Sequence, residues 1–461
     1  MGEGVSAGTG KNLMTEGNIW KKILFFSIPM ILGNLLQQMY NTVDSIIVGN
    51  YVGSNALAAV GSSTSIINLL IAFSMGASAG AGVVVSQFTG AGNKKGVRLS
   101  VHTAVAISIV LGIILTAAGI IFTPKILKMM RTPEEVMTQS VVYLRLYSAG
   151  LLFSVVYNMA AGILNAVGDS KRPLIYLGSA SVLNIILDIL LINVLKMGIA
   201  GAAIATNISQ IVSCILILMF LSKVPENYRL RFREIKIYRR MAGRIIKIGL
   251  PTAVQNTVIS FSNVLVQSSV NTFGAKAMAG FGAYLKIDGF NILPIMSFSM
   301  AVTTFTGQNY GAGKTDRLKK GMWVVIIMGV AYTAVLGAVL LMFSDFFMGI
   351  FTTDKDVMYY GIQAMKYFCP FYFLLSIMHG LAGTIRGTGK TVPPMVILLI
   401  SLCLFRIVWI HFIVPRFDDI DIIYLLYPVS WFVGLVLMSL YAWKGSWKRN
   451  IFWFSFAQEQ E

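Results

Sequence analysis

Four oxygen-bearing side chains, Asp44, Asn184, Asp188 and Thr206, lie inside apolar stretches of a 461-residue chain in which only 12% of residues are charged. A carboxylate in a segment that crosses a bilayer is costly unless it holds a cation or takes a proton. Three acids are so placed, Asp44, Asp188 and Asp288. Asn184 and Asp188 are four residues apart and share a helix face. Asp44 lies about five residues before the end of the first apolar stretch, Asp188 about eight before Lys196 and Thr206 about ten after it. At ~1.5 Å per residue, all three sit roughly 8 to 15 Å below one surface. Such a cluster suits a hard monovalent cation such as Na+, or a proton. The structural alternative is that Asp188 only hydrogen-bonds a neighbouring helix while Asp44 sits in the wet interface.

Other chemistry is poorly served. Gly311-Ala312-Gly313-Lys314-Thr315 and Gly387-Thr388-Gly389-Lys390-Thr391 look like phosphate-binding loops, but the pattern needs glycine where Gln308 and Thr384 stand, and neither segment follows a β-strand. His102, His379 and His411 are scattered without metal or triad spacing, so no enzyme activity and no cofactor are expected. Cys214, Cys369 and Cys403 fall inside apolar segments and read as small buried thiols.

The elements that position these side chains follow from composition. With 56% hydrophobic residues and a mean hydropathy of +0.73, most of the chain belongs in a bilayer. Apolar stretches long enough to cross a ~30 Å core recur twelve times. They fall near 21 to 48, 56 to 87, 99 to 123, 139 to 166, 173 to 195, 199 to 222, 245 to 271, 279 to 307, 321 to 343, 357 to 385, 391 to 414 and 420 to 443. The net charge of +18 raises the question of nucleic acid, but the basic residues alternate with the loops. With the N-terminus in the cytoplasm, inside segments hold 26 Lys and Arg, nine of them from Lys223 to Lys247. Outside segments hold seven: Lys125, Lys128, Arg131, Lys196, Lys276, Lys355 and Arg416. Both termini are therefore expected in the cytoplasm, with no nucleic-acid partner. The segment before Lys21 lacks an apolar core with a cleavage site, so the first span reads as retained.

Landmarks return at a constant offset: Gln87 to Gly92 as Gln308 to Gly313, Gly53 and Gly61 as Gly274 and Gly282, and Ala161-Gly162 as Ala382-Gly383. Six spans per repeat bring the chain back to its starting side. The expectation is an all-α polytopic protein of two parallel-repeat, six-helix lobes around a central cleft. The lobes cover 21 to 222 and 245 to 443, with a cytoplasmic tail at 1 to 20, a basic linker at 223 to 244 that is partly an interfacial helix, and a tail at 444 to 461. Trp443, Trp447, Trp453 and Phe454, with Lys444, Lys448 and Arg449, suit the headgroup zone. Asn34, Gln37, Gln38, Asn41, Asp44 and Ser45 form a polar stripe on the first helix, and Asn256, Ser260, Asn263, Gln267 and Asn271 do the same on the seventh. Gln37, Asn41, Asn256, Asn263 and Gln267 are expected to line the substrate cleft, although polar glue between helices is the alternative for any one amide. Pro29 and Pro251 each follow a first turn and permit bending.

Over residues 14 to 445 the chain resembles the multidrug and toxic compound extrusion family, in its bacterial DinF and MepA-like branch. The residues that carry the likeness are Ile28-Pro29, Asn41-Thr42-Val43-Asp44-Ser45, 49 to 61, 87 to 92, 184 to 188, Gly201-Ala202-Ala203-Ile204-Ala205-Thr206 and Ala382-Gly383 to Gly387. The resemblance implies twelve helices in two lobes and export of amphipathic, often cationic small molecules in exchange for Na+ or H+. It also implies a cation site at Asp44, Asn184, Asp188 and Thr206, in a monomer in the inner (plasma) membrane in contact with lipids. The chain departs from another branch of that family, which carries coupling acids in the seventh and tenth helices; here those helices hold none. Arg406, Lys286 and Asp288 are left without a role. Arg145, Lys286, Lys366 and Arg406 keep open a lipid-linked saccharide flippase, whose pyrophosphate cargo favours basic residues.

Overall fold

The computed structural model describes residues 13–130, 132–417 and 419–445. Lys11, Arg131, Trp447, Lys448, Arg449, Trp453 and Phe454 lie outside them. Among the described residues every regular element is helical. The first half contains α1 (Ile19–Tyr51), α2 (Ser54–Gly90), α3 (Lys94–Met129), α4 (Glu134–Ala149), α5 (Leu151–Ala166), α6 (Lys171–Asp188) and α7 (Gly198–Lys223). The second contains α8 (Arg239–Asn271), α9 (Ala275–Gly311), α10 (Thr315–Met342), α11 (Ser344–Gly349), α12 (Lys355–Phe368) and α13 (Tyr372–Gly387). It closes with α14 (Val392–Leu399), α15 (Phe405–Phe412), α16 (Val414–Phe417) and α17 (Ile420–Trp443).

The repeat holds at the level of backbone. α2 and α9 start and stop at the same offset as the sequence landmarks, and so do the α4/α5 and α12/α13 pairs. The turns between them use glycine in the left-handed region at matched places: Gly53 and Gly274, Gly92 and Gly313, Gly168 and Gly389. A residue with a Cβ is strained there, so these glycines fix where each helix ends and the next begins.

Among the described residues, ten helical runs are long and apolar enough to cross a membrane, and the α4/α5 pair, bent by 46°, makes an eleventh when taken as one span. α8 matches α1 at 33 residues but carries Asn256, Ser260, Asn263 and Gln267, so composition alone does not mark it. The expected single span at 139 to 166 is broken at Gly150, where Asn207 of α7 donates to the freed Leu146 carbonyl at 2.6 Å and Thr116 of α3 accepts from Leu152 N at 3.2 Å. Side chains of neighbouring helices thus replace the missing helical bonds, which lets the break survive in hydrocarbon. The span at 357 to 385 is interrupted by a 3₁₀ turn, Cys369–Phe371, containing Pro370, which has no N–H to donate. Pro29 and Pro251, in contrast, lie within continuous helices. In the linker, helix begins only at Arg239; between α7 and α8 the backbone forms a single 3₁₀ turn, Phe232–Glu234.

The chain forms two compact units, which divide next to the two prolines. One comprises Ile28–Ala253. In it α2, α3 and α5 pack on one another, α4 packs on α2, α3 and α7, and α6 packs on α7. Its core includes Ile47 and Val48 of α1, Ile66 and Ile67 of α2, Leu144 of α4 and Ala202 and Ala203 of α7. The other comprises Met14–Ser27 and the described chain from Val254 onward. There α9 packs on α10, α12 and α13, and α17 packs on α12 and α13. Its core is aromatic: Phe281, Tyr284, Phe368, Tyr372, Tyr424 and Trp431 are all at most 3% exposed.

Candidate functional site

α1 and α6 run side by side in the same direction. The space beside Gly33 is filled by Leu174 and Leu177, and that beside Gly178 by Leu36. Following both helices onward brings Asp44 and Asp188 together. Asp44 is 8% exposed, Asn184 2% and Asp188 0%. The two carboxyls face each other closely enough to interact directly, yet no oxygen pair meets the geometry of a hydrogen bond. Among the described residues, Asp44 Oδ1, both oxygens of Asp188 and both amide atoms of Asn184 have no hydrogen-bond partner. Among the described residues no Lys, Arg or His pairs with either acid.

Local sequence explains the placement. Asn184 and Asp188 are one turn apart on α6, and Asp188 is the last α-helical residue before a π-helical turn, Ile189–Val194. Gly201 of α7 stands against Leu191 of that turn, where a Cβ would come within 3.2 Å of the backbone. Wide turns of this kind recur at functional positions because they displace one side chain from the regular helical register. Thr206 is buried on α7, and its hydroxyl donates to Ala202 O at 3.0 Å, leaving lone pairs to accept or coordinate.

Spacing alone did not bring out the phenols around the acids. Tyr40, one turn before Asp44, lies beside Gln37 and Gln210, and Tyr143 and Tyr147 of α4 also fall within electrostatic reach of Asp44. The i, i+4 relation of Tyr40 to Asp44 was present in the sequence; the approach of α4 was not. Two carboxylates in apolar surroundings with no basic partner remain charged only if a cation lies between them, and otherwise take up a proton. Mixed carboxylate, amide and hydroxyl oxygens fit either a hard monovalent cation or a proton.

The amides expected to contact substrate are placed as follows. On α1, Gln37 is half-buried and Asn41 exposed; on α8, Asn256 and Gln267 are half-buried and Asn263 is exposed. Gln267 donates to Asn271 at 2.9 Å, and Asn263 accepts from Arg406 at 3.0 Å. Asp288 is buried with the Tyr284 hydroxyl at 3.3 Å, which also meets the Tyr372 hydroxyl at 2.7 Å. Lys286 lies over the Phe351 ring at 5.8 Å.

The MatE family profile matches residues 29–190 and 251–410, one match per repeat. A Bacillus subtilis protein described as the probable multidrug resistance protein YpnP is 31% identical over 85% of this chain and 88% of its own length. Another from the same organism, the probable multidrug resistance protein YoeA, is 29% identical over 95% of this chain and 96% of its own length. Among solved structures, a MOP superfamily transporter from Pyrococcus furiosus shares the fold with a TM-score of 0.89 at 23% identity, covering 96% of this chain and all of the other. With the family profile spanning both repeats and the fold matching end to end, the chain belongs to the MatE family, the multidrug and toxic compound extrusion transporters, and is a multi-pass membrane protein rather than an enzyme.

Proposed function

We propose that this transporter is a multidrug efflux antiporter that exports amphipathic, often cationic compounds in exchange for Na+ or H+. The observation that carries the reading is the facing pair Asp44 and Asp188, buried with Asn184 and without a basic partner among the described residues. In this scheme a cation or proton enters the pair, neutralises it and lets α1 repack against α6, which lowers affinity for the exported compound. Coupling requires only that the ion and the compound favour different states of the same protein. Thr206 supplies a further oxygen. Gln37 and Asn41 on α1 and Asn256, Asn263 and Gln267 on α8 are assigned to the transported compound, whose export proceeds by alternating access. The protein works as a monomer in the plasma membrane with both termini in the cytoplasm. The names of the two Bacillus subtilis relatives support drug efflux, and the distribution of basic residues supports the orientation.

The test is transport of rhodamine 123 by the purified protein in proteoliposomes, with a pH gradient and a Na+ gradient imposed separately. Wild type should respond to at least one. Asp44→Asn should elute as a monodisperse protein and lose gradient-driven export by at least about 10-fold, because removing the charge removes the reason for an ion to bind. Undiminished driven export by that variant would sink the proposal.

A further inference from the structure

The second unit buries a charge that the coupling scheme does not use. Arg406 is the second residue of α15, two positions past the π-helical turn Ile400–Leu404, and is only 3% exposed. Its guanidinium sits 4.4 Å from the centre of the Tyr427 ring. Nη1 donates to Asn263 Oδ1 at 3.0 Å and Nε to Ser430 Oγ at 3.3 Å. No carboxylate pairs with it among the described residues. The buried acid of the same unit, Asp288, has the Tyr284 hydroxyl as its partner.

A guanidinium stays charged at any physiological pH, and a charged side chain inside a spanning segment is costly unless compensated. Here the compensation is partial: a ring face, an amide oxygen and a hydroxyl offer fractional negative charge but no counter-ion. Nη2 makes no hydrogen bond among the described residues. Asn263 has its oxygen turned to the arginine, which leaves its Nδ2 as a donor, and it lies exposed on the amide stripe of α8. Two donors, one of them charged, therefore point from a buried anchor and an exposed neighbour with no acceptor among the described residues. Oxyanions are the ligands that planar guanidinium forks recognise best.

We infer that Arg406, with Asn263, forms an anion subsite that takes the carboxylate of a zwitterionic amphipathic compound. This rests on the reading of the chain as a drug exporter and deepens it: it assigns the acidic group of such a molecule to a buried arginine of the second unit. Tyr427 holds the guanidinium plane, and Ser430 fixes its Nε edge.

Rhodamine 110 and rhodamine 123 separate the effects, because they differ only in a free carboxylate against its methyl ester. Binding of both to the purified full-length protein is measured by fluorescence polarisation. Arg406→Gln should lower the ratio of rhodamine 110 to rhodamine 123 affinity by at least about 10-fold, the scale of a lost charge-assisted pair, and Arg406→Lys should lower it less. Asn263→Asp keeps the arginine but supplies an internal counter-ion, so it should lower the same ratio even if Arg406→Gln fails to fold. An unchanged ratio in the variants that fold overturns the subsite. Displacement of rhodamine 110 from wild type by phosphatidylglycerol would assign the arginine to a lipid phosphate and overturn the substrate reading. Absence of gradient-driven rhodamine 123 export by wild type would instead sink the exporter proposal, leaving the affinity ratio readable.

Discussion

Gly162 and Gly383 occupy matching places in the two repeats and do the same work twice. A Cβ on Gly162 would come within 2.3 Å of Ser78 Oγ, and one on Gly383 within 2.5 Å of the Ser299 carbonyl. Ser78 donates to Asn158 O at 2.7 Å and Ser299 to His379 O at 2.8 Å, a pair of bonds related by the same offset. Small residues at these crossings let backbones approach closely enough for a hydroxyl of one helix to reach a carbonyl of the next, which is how helices hold together without a hydrophobic driving force. Gly383→Ala should cost about 1 to 3 kcal/mol, since the atom it meets is backbone and cannot swing aside. Gly61→Ala, with nothing within 4 Å, should leave the thermal midpoint unchanged, and thermal unfolding of the two variants in detergent measures the difference. The Ala-Gly repeat was legible in the sequence. That it marks a helix crossing was not, because each serine lies on a different helix, far along the chain from the carbonyl it reaches.

At the scale of elements, the segments that lead into α1 and α8 are fastened by side chains rather than by secondary structure. Before α1, Gln308 Oε1 accepts from Met14 N at 2.8 Å, Lys314 donates to Thr15 O at 3.0 Å, and Arg317 donates to Met14 O and Gly17 O, both at 3.1 Å. Arg317→Ala should therefore free residues 14 to 18, seen as faster hydrogen exchange there and little change in α12. Before α8, Arg231 N donates to His102 Nε2 at 3.0 Å, and Glu234 is clamped by Arg98 and Arg231. The hydrogen bond from Arg98 is the main cause that holds the Glu234 carboxyl down from 4.5 to about 2. A depressed acid stabilises the docked linker above its ordinary pKa, and that contribution is lost as pH falls from 4.5 toward about 2. Glu234→Gln should imitate the acid state at pH 7, read as faster tryptic cleavage between 229 and 240. The sequence implied an interfacial helix here from the density of basic residues. In the structure the linker forms a 3₁₀ turn at Phe232–Glu234, where the Arg98 clamp and the His102 contact hold the backbone, and is helical from Arg239 onward.

For the whole molecule, the twofold plan and the facing pair of acids are separate features. The offset that relates the repeats carries Asp188 to Trp409, and the second unit's own buried acid, Asp288, lies on α9 beside tyrosines. The duplication thus carried the scaffold, while the charges were distributed afresh: two facing acids in the first unit, and in the second an arginine with no counter-ion among the described residues. Gradient-driven transport should accordingly depend on the first unit's acids, and substrate charge selectivity on the second unit's arginine. The double variant Asp44→Asn with Arg406→Gln, assayed for both properties, should show two independent losses, as expected for sites without shared partners. By itself the sequence determined the membrane class, the repeat and the identity of the acids, because hydrophobic length and glycine spacing are local properties that bilayer physics reads directly. Only the tertiary structure decided that Asp44 and Asp188 face each other, that Arg406 takes Asn263 rather than an acid, and that spans bend where distant side chains cap them. Each of these rests on atoms brought together from positions far apart along the chain, and a helical period along one segment holds no information about which segment lies beside it.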